Sequence, residues 1–397
     1  MFQTKGCLFS TFYPVSATKA SVHIVIAPDK FKGSLTAIRA AESIKYGFSK
    51  VFRDATYDLL PLADGGEGIL EAFHQAVPGK TMRSVVRDAR GREVEAAWLF
   101  IEESAGLPSQ AIIESSQANG LWRLSASERF PATASTYGVG QLIREAVLSG
   151  ANRIIVGLGG SATNDAGIGL AAALGCRFLN SAGEEVEPIP ANIDAMASID
   201  ASAMMTLPEI VVACDVANPL LGKRGATNVY GPQKGLLPGE LKTAELGLSR
   251  IVDLVRTHLG NVYSEVPGAG AAGGLGFGLM TFCGAELESG FDSIAAALDA
   301  EGRISKADLV ITAEGSLDSQ TLEGKTPHRV SKLARKHDIP VYALAGKIED
   351  DELLQEHFDG ICSIMNSPMS LEKAMADAPE LLEKAANRLA HILQSIR

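Results

Sequence analysis

The chain has 397 residues, 46% of them hydrophobic and 21% charged, a globular composition with room for two domains of ordinary size. A formal charge of −11 argues against nucleic acid or an anionic membrane as the main partner, so an anionic substrate needs a local patch of Lys, Arg or metal ion. The 40 glycines gather in loops rather than in a repeat, which points to ligand sites lined by backbone.

Five cysteines (Cys7, Cys176, Cys214, Cys283 and Cys362) form no C-x-x-C pair and read as reduced thiols of a cytosolic protein. The seven histidines show no H-E-x-x-H spacing, which leaves carboxylate-built sites for hard metals open. Residues 1–20 fit the remainder poorly. Their apolar stretch is short, polar and broken by Pro14, so an added, disordered start is expected in preference to a signal peptide.

Val22–Ala27 reads as a strand, a helix is expected over Leu35–Lys50, and Thr56–Leu62 reads as a second strand, completing a βαβ unit. Both strand ends carry acid beside glycine, in Pro28-Asp29-Lys30-Phe31-Lys32-Gly33 and Ala63-Asp64-Gly65-Gly66-Glu67-Gly68, where open parallel sheets take ligands. From Ile69 the texture changes. A helix to Val77 precedes strands within Met82–Phe100 and Ala111–Ser116, then a polar glycine loop, 131–140, and a helix over Gln141–Leu148.

Ile154–Val156 is a β-branched run of the kind that makes a buried strand. Gly157, Gly159 and Gly160 remove every Cβ at the turn, and Ser161, Thr163, Asn164 and Asp165 favour a helix start. A small apolar helix is expected from Ala166 to Gly175. Strand, bare turn and helix together aim backbone N–H groups at an anion, so a phosphate is expected here. Gly157, Gly159 and Ala162 also fit the dinucleotide fingerprint G-x-G-x-x-G/A, but the acid-ended second strand that it requires is missing.

Glu209–Asp215 is a strand ending in acid, with Asn218 three residues on, which suits oxygen ligation of Mg²⁺ or a sugar-acid hydroxyl. Lys223, Arg224 and Lys234 follow as cations able to offset phosphate. A helix is expected over Leu241–Leu259. The uncharged stretch Val266–Ala285 reads mostly as a loop, with a second G-x-G-x-x-G at Gly268, Gly270 and Gly273 that lacks a preceding strand. The last third alternates strands (308–312, 340–345, 360–364) with helices (328–337, 351–358, and one long helix over 371–396). Gly324-Lys325-Thr326 lacks the earlier glycine of a Walker A loop, because Ser319 stands there. These textures predict an α/β fold: a doubly wound, parallel-sheet, Rossmann-like domain (21–68 with 290–397) interrupted by a second α/β domain (69–289), with an active-site cleft between them.

The segments 27–35, 61–68, 157–165, 214–220, 231–235 and 314–321 together resemble the bacterial-type (type 1) glycerate kinase family, in order from about Ser21 to the C-terminus. The resemblance implies ATP- and Mg²⁺-dependent phosphorylation of D-glycerate, at O2 in preference to O3, by a cytoplasmic enzyme without nucleic-acid or membrane partners. It leaves a homodimer open. Under it, Asp29, Lys32, Asp64, Asp215 and Lys234 are expected to be catalytic. Gly159, Gly160, Ser161, Thr163, Asn164, Gly273 and Gly274 would bind the nucleotide, and Asp165 and Asp215 the metal. Lys30, Glu67, Asn218, Glu314, Asp318 and Lys325 would hold substrate. Which carboxylate accepts the hydroxyl proton stays open. The chain departs from the family at Ala313 and Ser316, where Gly and Arg are common, and at Ala166, where glycine is common; that arginine's role would fall to Arg329, Lys325 or another cation. A dinucleotide-dependent oxidoreductase and a non-catalytic sugar-acid sensor are the alternatives.

Overall fold

The computed structural model describes residues 8–9, 21–62, 68–103, 108–349 and 351–395. The chain divides into two compact units, Met1–Asp64 with Phe291–Arg397, and Gly65–Gly290. Both are α/β.

The first unit is built on a six-stranded sheet in the order Leu8–Phe9, Gly360–Ser363, Val341–Ile348, Leu309–Leu317, His23–Ile26, Thr56–Leu59. Every neighbouring pair is parallel except the edge pair made by Leu8–Phe9. The apolar runs explain the central positions: Ile24, Val25, Ile26, Leu309, Val310 and Ile311 are fully buried, as expected of strands covered on both faces. Helices Ala37–Ser49 and Ala378–Ser395 pack over one face through Ile44, Phe48, Leu382, Ala386 and Leu389. Each of the Ile, Phe and Leu side chains among these contributes roughly 1.5–3 kcal/mol of burial. Thr36 caps the first of these helices by accepting the Arg39 N–H at 3.3 Å.

The second unit has a six-stranded sheet in the order Glu286–Glu288, Glu209–Ala213, Arg153–Gly157, Gln110–Glu114, Glu93–Ile101, Lys80–Arg87, plus the small hairpin Arg177–Leu179 with Ser198–Asp200. The first four strands run parallel and the last two are added antiparallel. Arg153–Gly157 lies between two parallel neighbours, so the glycine loop leaves the sheet at the C-terminal end of an interior strand.

Three expectations are corrected. Much of 266–285 is helical, Ala271–Cys283 interrupted by a left-handed kink at Ala272, Gly273 and Gly274, not loop. Leu275, Phe277, Leu279 and Phe282 are buried, so no polar face marks the helix in the sequence. Gly278 permits close packing, since a Cβ there would lie 2.6 Å from the Gly167 Cα. The closing helix is two helices, Leu371–Ala376 and Ala378–Ser395. Cys362 is disulfide-bonded rather than reduced, whereas Cys176, Cys214 and Cys283 are free. Among the described residues no helix is long and apolar enough to cross a membrane.

Candidate active site

The chemistry-bearing residues fall into two groups, one in each unit. In the second unit the glycine loop runs from Gly157 to the helix Ile168–Ala173. The helix starts two residues later than its composition suggests, because Ala166 (φ 51°) and Gly167 (φ 74°) are left-handed. Gly160 is left-handed too, at φ 56°, a conformation that glycine adopts without cost. Residues Ser161 to Asp165 are all buried. The N–H groups of Gly159, Gly160, Thr163 and Asn164 meet no backbone acceptor among the described residues, which is what an anion cradle requires.

Four neighbours hold this loop. Lys234, only 2% exposed, donates from Nζ to Ser161 Oγ at 2.9 Å and to the Thr163 carbonyl at 2.7 Å. Burial pushes its ammonium down to about 7, and the Asp165 charge opposes that shift. Asn119 Nδ2 donates to Thr163 Oγ1 at 3.0 Å, and Asn164 Nδ2 to Thr227 Oγ1 at 3.1 Å. The stretch Ala272, Gly273 and Gly274, all left-handed, packs closely against the loop as well. A Cβ on Gly273 would fall 1.9 Å from the Thr163 carbonyl oxygen and 2.8 Å from Lys234 Nζ, so the second glycine motif serves the first as a packing surface.

Asp165 does not have the surroundings of a metal ligand. Its carboxylate accepts from Thr136 N and Thr136 Oγ1, both at 2.8 Å, Gly167 N at 3.1 Å and Gly169 N at 3.4 Å. Burial pushes this carboxyl up, and the Thr136, Gly167 and Gly169 donors pull it back. It organises the loop. Asn218 is likewise taken up, its Nδ2 donating to the Arg224 carbonyl at 2.7 Å and its Oδ1 accepting from Tyr230 Oη at 2.6 Å. Asp215 is exposed just beyond its strand and accepts from Ser289 Oγ at 3.1 Å and Gly290 N at 3.0 Å. Among the described residues, no three or more His, Cys, Asp and Glu side chains stand together as a ready metal site.

In the first unit, Asp29 follows the strand His23–Ile26 and its N–H donates to the Ala313 carbonyl at 2.8 Å. Its buried carboxylate accepts the Lys30 N–H at 2.7 Å. Glu314 lies on the adjacent strand, and Lys325 Nζ stands 3.6 Å from it and 3.5 Å from Asp318. Burial raises the Glu314 carboxyl to about 7; Lys325 opposes that, and Asp29 and Asp318 add to it. Its Oε2 is buried with no hydrogen-bond partner, an arrangement held in reserve for a ligand or a proton. Asp318 also accepts the Thr321 N–H at 3.2 Å, capping the short turn Ser319–Glu323. Lys32 is exposed. Asp64 and Glu67 lie outside the described residues. Arg329 donates to the Gly324 carbonyl at 2.7 Å and to Asp292 at 2.6 Å, whereas Lys325 pairs with the acids Glu314 and Asp318.

Sequence reasoning missed Asn119, Thr136 and Thr227. Thr136 sits in the polar glycine loop 131–140, so a signal existed. The partners of Asn119 and Thr227 are 44 and 63 residues away, and nothing local marks them.

The glycerate kinase family model matches residues 24–394. The chain is 42% identical over 372 residues to a Bacillus subtilis protein named glycerate kinase, covering 92% of this chain and 96% of that protein. It is 39% identical over 375 residues to an Escherichia coli protein named glycerate 2-kinase, covering 93% and 97%. A crystal structure from Salmonella typhimurium LT2 described as a glycerate kinase 2 superposes with a TM-score of 0.83 at 38% identity, covering 94% of this chain and 99% of that one. With a strand-ending glycine loop, a buried lysine upon it and kinase relatives along nearly its whole length, the chain belongs to the glycerate kinase family and is a kinase.

Proposed function

We propose that the enzyme transfers the γ-phosphoryl group of ATP to O2 of D-glycerate, giving 2-phosphoglycerate and ADP. The observation that carries the reading is Lys234, buried against a glycine loop in which the N–H groups of Gly159, Gly160, Thr163 and Asn164 meet no backbone acceptor among the described residues. Phosphoryl transfer asks a protein chiefly for positioning and for charge placed where the transition state develops it. The loop with Gly159, Gly160, Ser161, Thr163 and Asn164 supplies N–H donors for phosphate oxygens, and Gly273 and Gly274 support it. In the first unit Lys325, with Lys30 and Lys32 on the neighbouring loop, suits the carboxylate of an organic acid. Asp29, Glu314 and Asp318 suit its hydroxyls.

Mg²⁺ is proposed to accompany the nucleotide. The Asp165 carboxylate does not fit it, being filled by four donors. Asp215 fits better: it is exposed, and one carboxylate is enough where phosphates and water complete the shell. The ion would neutralise phosphate charge there. Dependence on ATP also implies a compartment that holds ATP, in keeping with the cytoplasm.

The O2 assignment draws on the name of the Escherichia coli relative. The test is ADP release with ATP, Mg²⁺ and D-glycerate, together and with each omitted, and the product then offered to enolase. Full release without glycerate would overturn the kinase reading for this substrate. A product that enolase accepts only after a mutase is added would place the phosphate on O3.

A further inference from the structure

We propose that Trp122 is the platform on which the nucleotide's purine stacks, the inference resting on the reading of the Gly157–Asp165 loop as the phosphate site. Gly120 pairs with Ser161 across an isolated antiparallel bridge. Leu121 N–H donates to the Gly160 carbonyl at 2.6 Å and Ala162 N–H to the Asn119 carbonyl at 2.8 Å on either side of that bridge. The chain turns at once into the short helix Leu121–Arg123, which fixes Trp122 two residues from the loop's partner.

The indole folds back over Gly120. A Cβ there would lie 2.3 Å from the Ser116 carbonyl oxygen, 2.5 Å from Trp122 Nε1 and 2.8 Å from its Cδ1, so glycine is demanded by the backbone and leaves room for the ring. The Arg123 guanidinium stands 4.4 Å from the ring centroid. Even so, Trp122 remains 61% exposed, whereas Trp98, the other tryptophan, is 1% exposed. Phe130 repeats the pattern nearby in the chain, 55% exposed with the Arg90 guanidinium 5.2 Å from its ring.

An aromatic ring beside a phosphate loop, with the Arg123 guanidinium held next to it by its bond to the Glu95 carbonyl at 2.9 Å, matches the two ends of a nucleotide. The base offers a π-face, and the phosphates offer charge that this acidic chain must meet locally. Base stacking on an aromatic side chain is worth about 1–3 kcal/mol. Neither glycerate nor inorganic phosphate has a surface that uses an exposed indole.

The two tryptophans give a direct readout. ADP titrated into the wild-type enzyme is expected to quench and shift emission from Trp122, and inorganic triphosphate is expected to leave it unchanged. Trp122→Phe should abolish the change. Trp122→Ala should raise KM for ATP about 5- to 160-fold, the range that 1–3 kcal/mol corresponds to. If Trp122 were merely structural, the alanine variant would lower the melting temperature and leave KM for ATP alone. ADP binding shown by equilibrium dialysis, with unchanged emission and an unchanged KM in the alanine variant, overturns the stacking role but leaves the loop reading standing. If Gly160→Val binds ADP as tightly as wild type, the loop reading fails and the stacking role with it.

Discussion

Lys234 donates to the Thr163 carbonyl at 2.7 Å, tying a short turn to the interior of the glycine loop 71 residues earlier. The bond points a buried ammonium at a carbonyl and a hydroxyl, with no carboxylate bonded to it, and the Asp165 charge offsets its burial only in part. Burying such a cation is costly without a function that uses it.

Lys234→Met keeps the stem and removes the charge. We expect kcat to fall about 10²-fold or more, by analogy with the loss of one preorganised donor. The melting temperature should move little, because the burial cost leaves with the charge. Lys234→Arg should not rescue activity, since the Gly273 backbone already abuts the ammonium. Near-normal kcat in Lys234→Met would refute the assignment.

Two substitutions at the same junction should act with opposite signs. Ala166 holds φ 51°, which costs an alanine about 1 kcal/mol, so Ala166→Gly should raise stability by up to that amount. Gly273→Ala should cost about 3 kcal/mol or more, combining a left-handed backbone at φ 75° with a 1.9 Å approach to the Thr163 carbonyl oxygen. Urea unfolding measures both. A neutral Gly273→Ala would mean that the two segments are not packed this tightly.

Strands were legible where β-branched runs meet glycine or acid, as at Ile154–Val156 and Leu309–Ile311. Asp215 and the glycine loop could be singled out because the last residues of parallel strands are where backbone and side chain become available to ligands. The helix Ala271–Cys283 was not legible: it is buried on every side and rich in glycine, so it shows neither periodicity nor propensity. Nor could spacing show that Asp165 belongs to Thr136, because that pairing exists only once strands are assembled. The same residue types that suggested a metal ligand serve here to fasten a loop.

Glu314 should leave a pH signature in stability. Its carboxyl is raised to about 7 in the folded chain, by burial first, against an ordinary value of 4.5. The folded state therefore binds the proton more tightly, and its contribution is complete below about pH 4.5 and lost as pH rises through 7. Glu314→Gln should flatten that dependence, with a difference on the order of 2 kcal/mol between pH 5 and pH 8. Urea midpoints of both proteins at the two pH values test this. Parallel profiles would show that Glu314 titrates normally.

The last prediction separates the two carboxylates that the sequence suggested for the metal. Asp165 accepts four donors within a buried site, so Asp165→Asn must turn an amide N–H₂ towards at least one of them. Leaving buried donors unmatched costs about 1–3 kcal/mol, and the loop should loosen, lowering both melting temperature and activity at every Mg²⁺ concentration. Asp215 is exposed, and an asparagine Oδ1 can still accept from Gly290 N, so Asp215→Asn should leave the melting temperature within a few degrees of wild type. What it loses is charge. If that charge helps hold the nucleotide's cation, the Mg²⁺ concentration for half-maximal rate should rise about 10-fold, with kcat down roughly 10²-fold even at saturating metal. Mg²⁺ titration of the rate beside thermal melts of both variants decides the matter. An Asp215→Asn enzyme with wild-type Mg²⁺ dependence would remove Asp215 from the cation site.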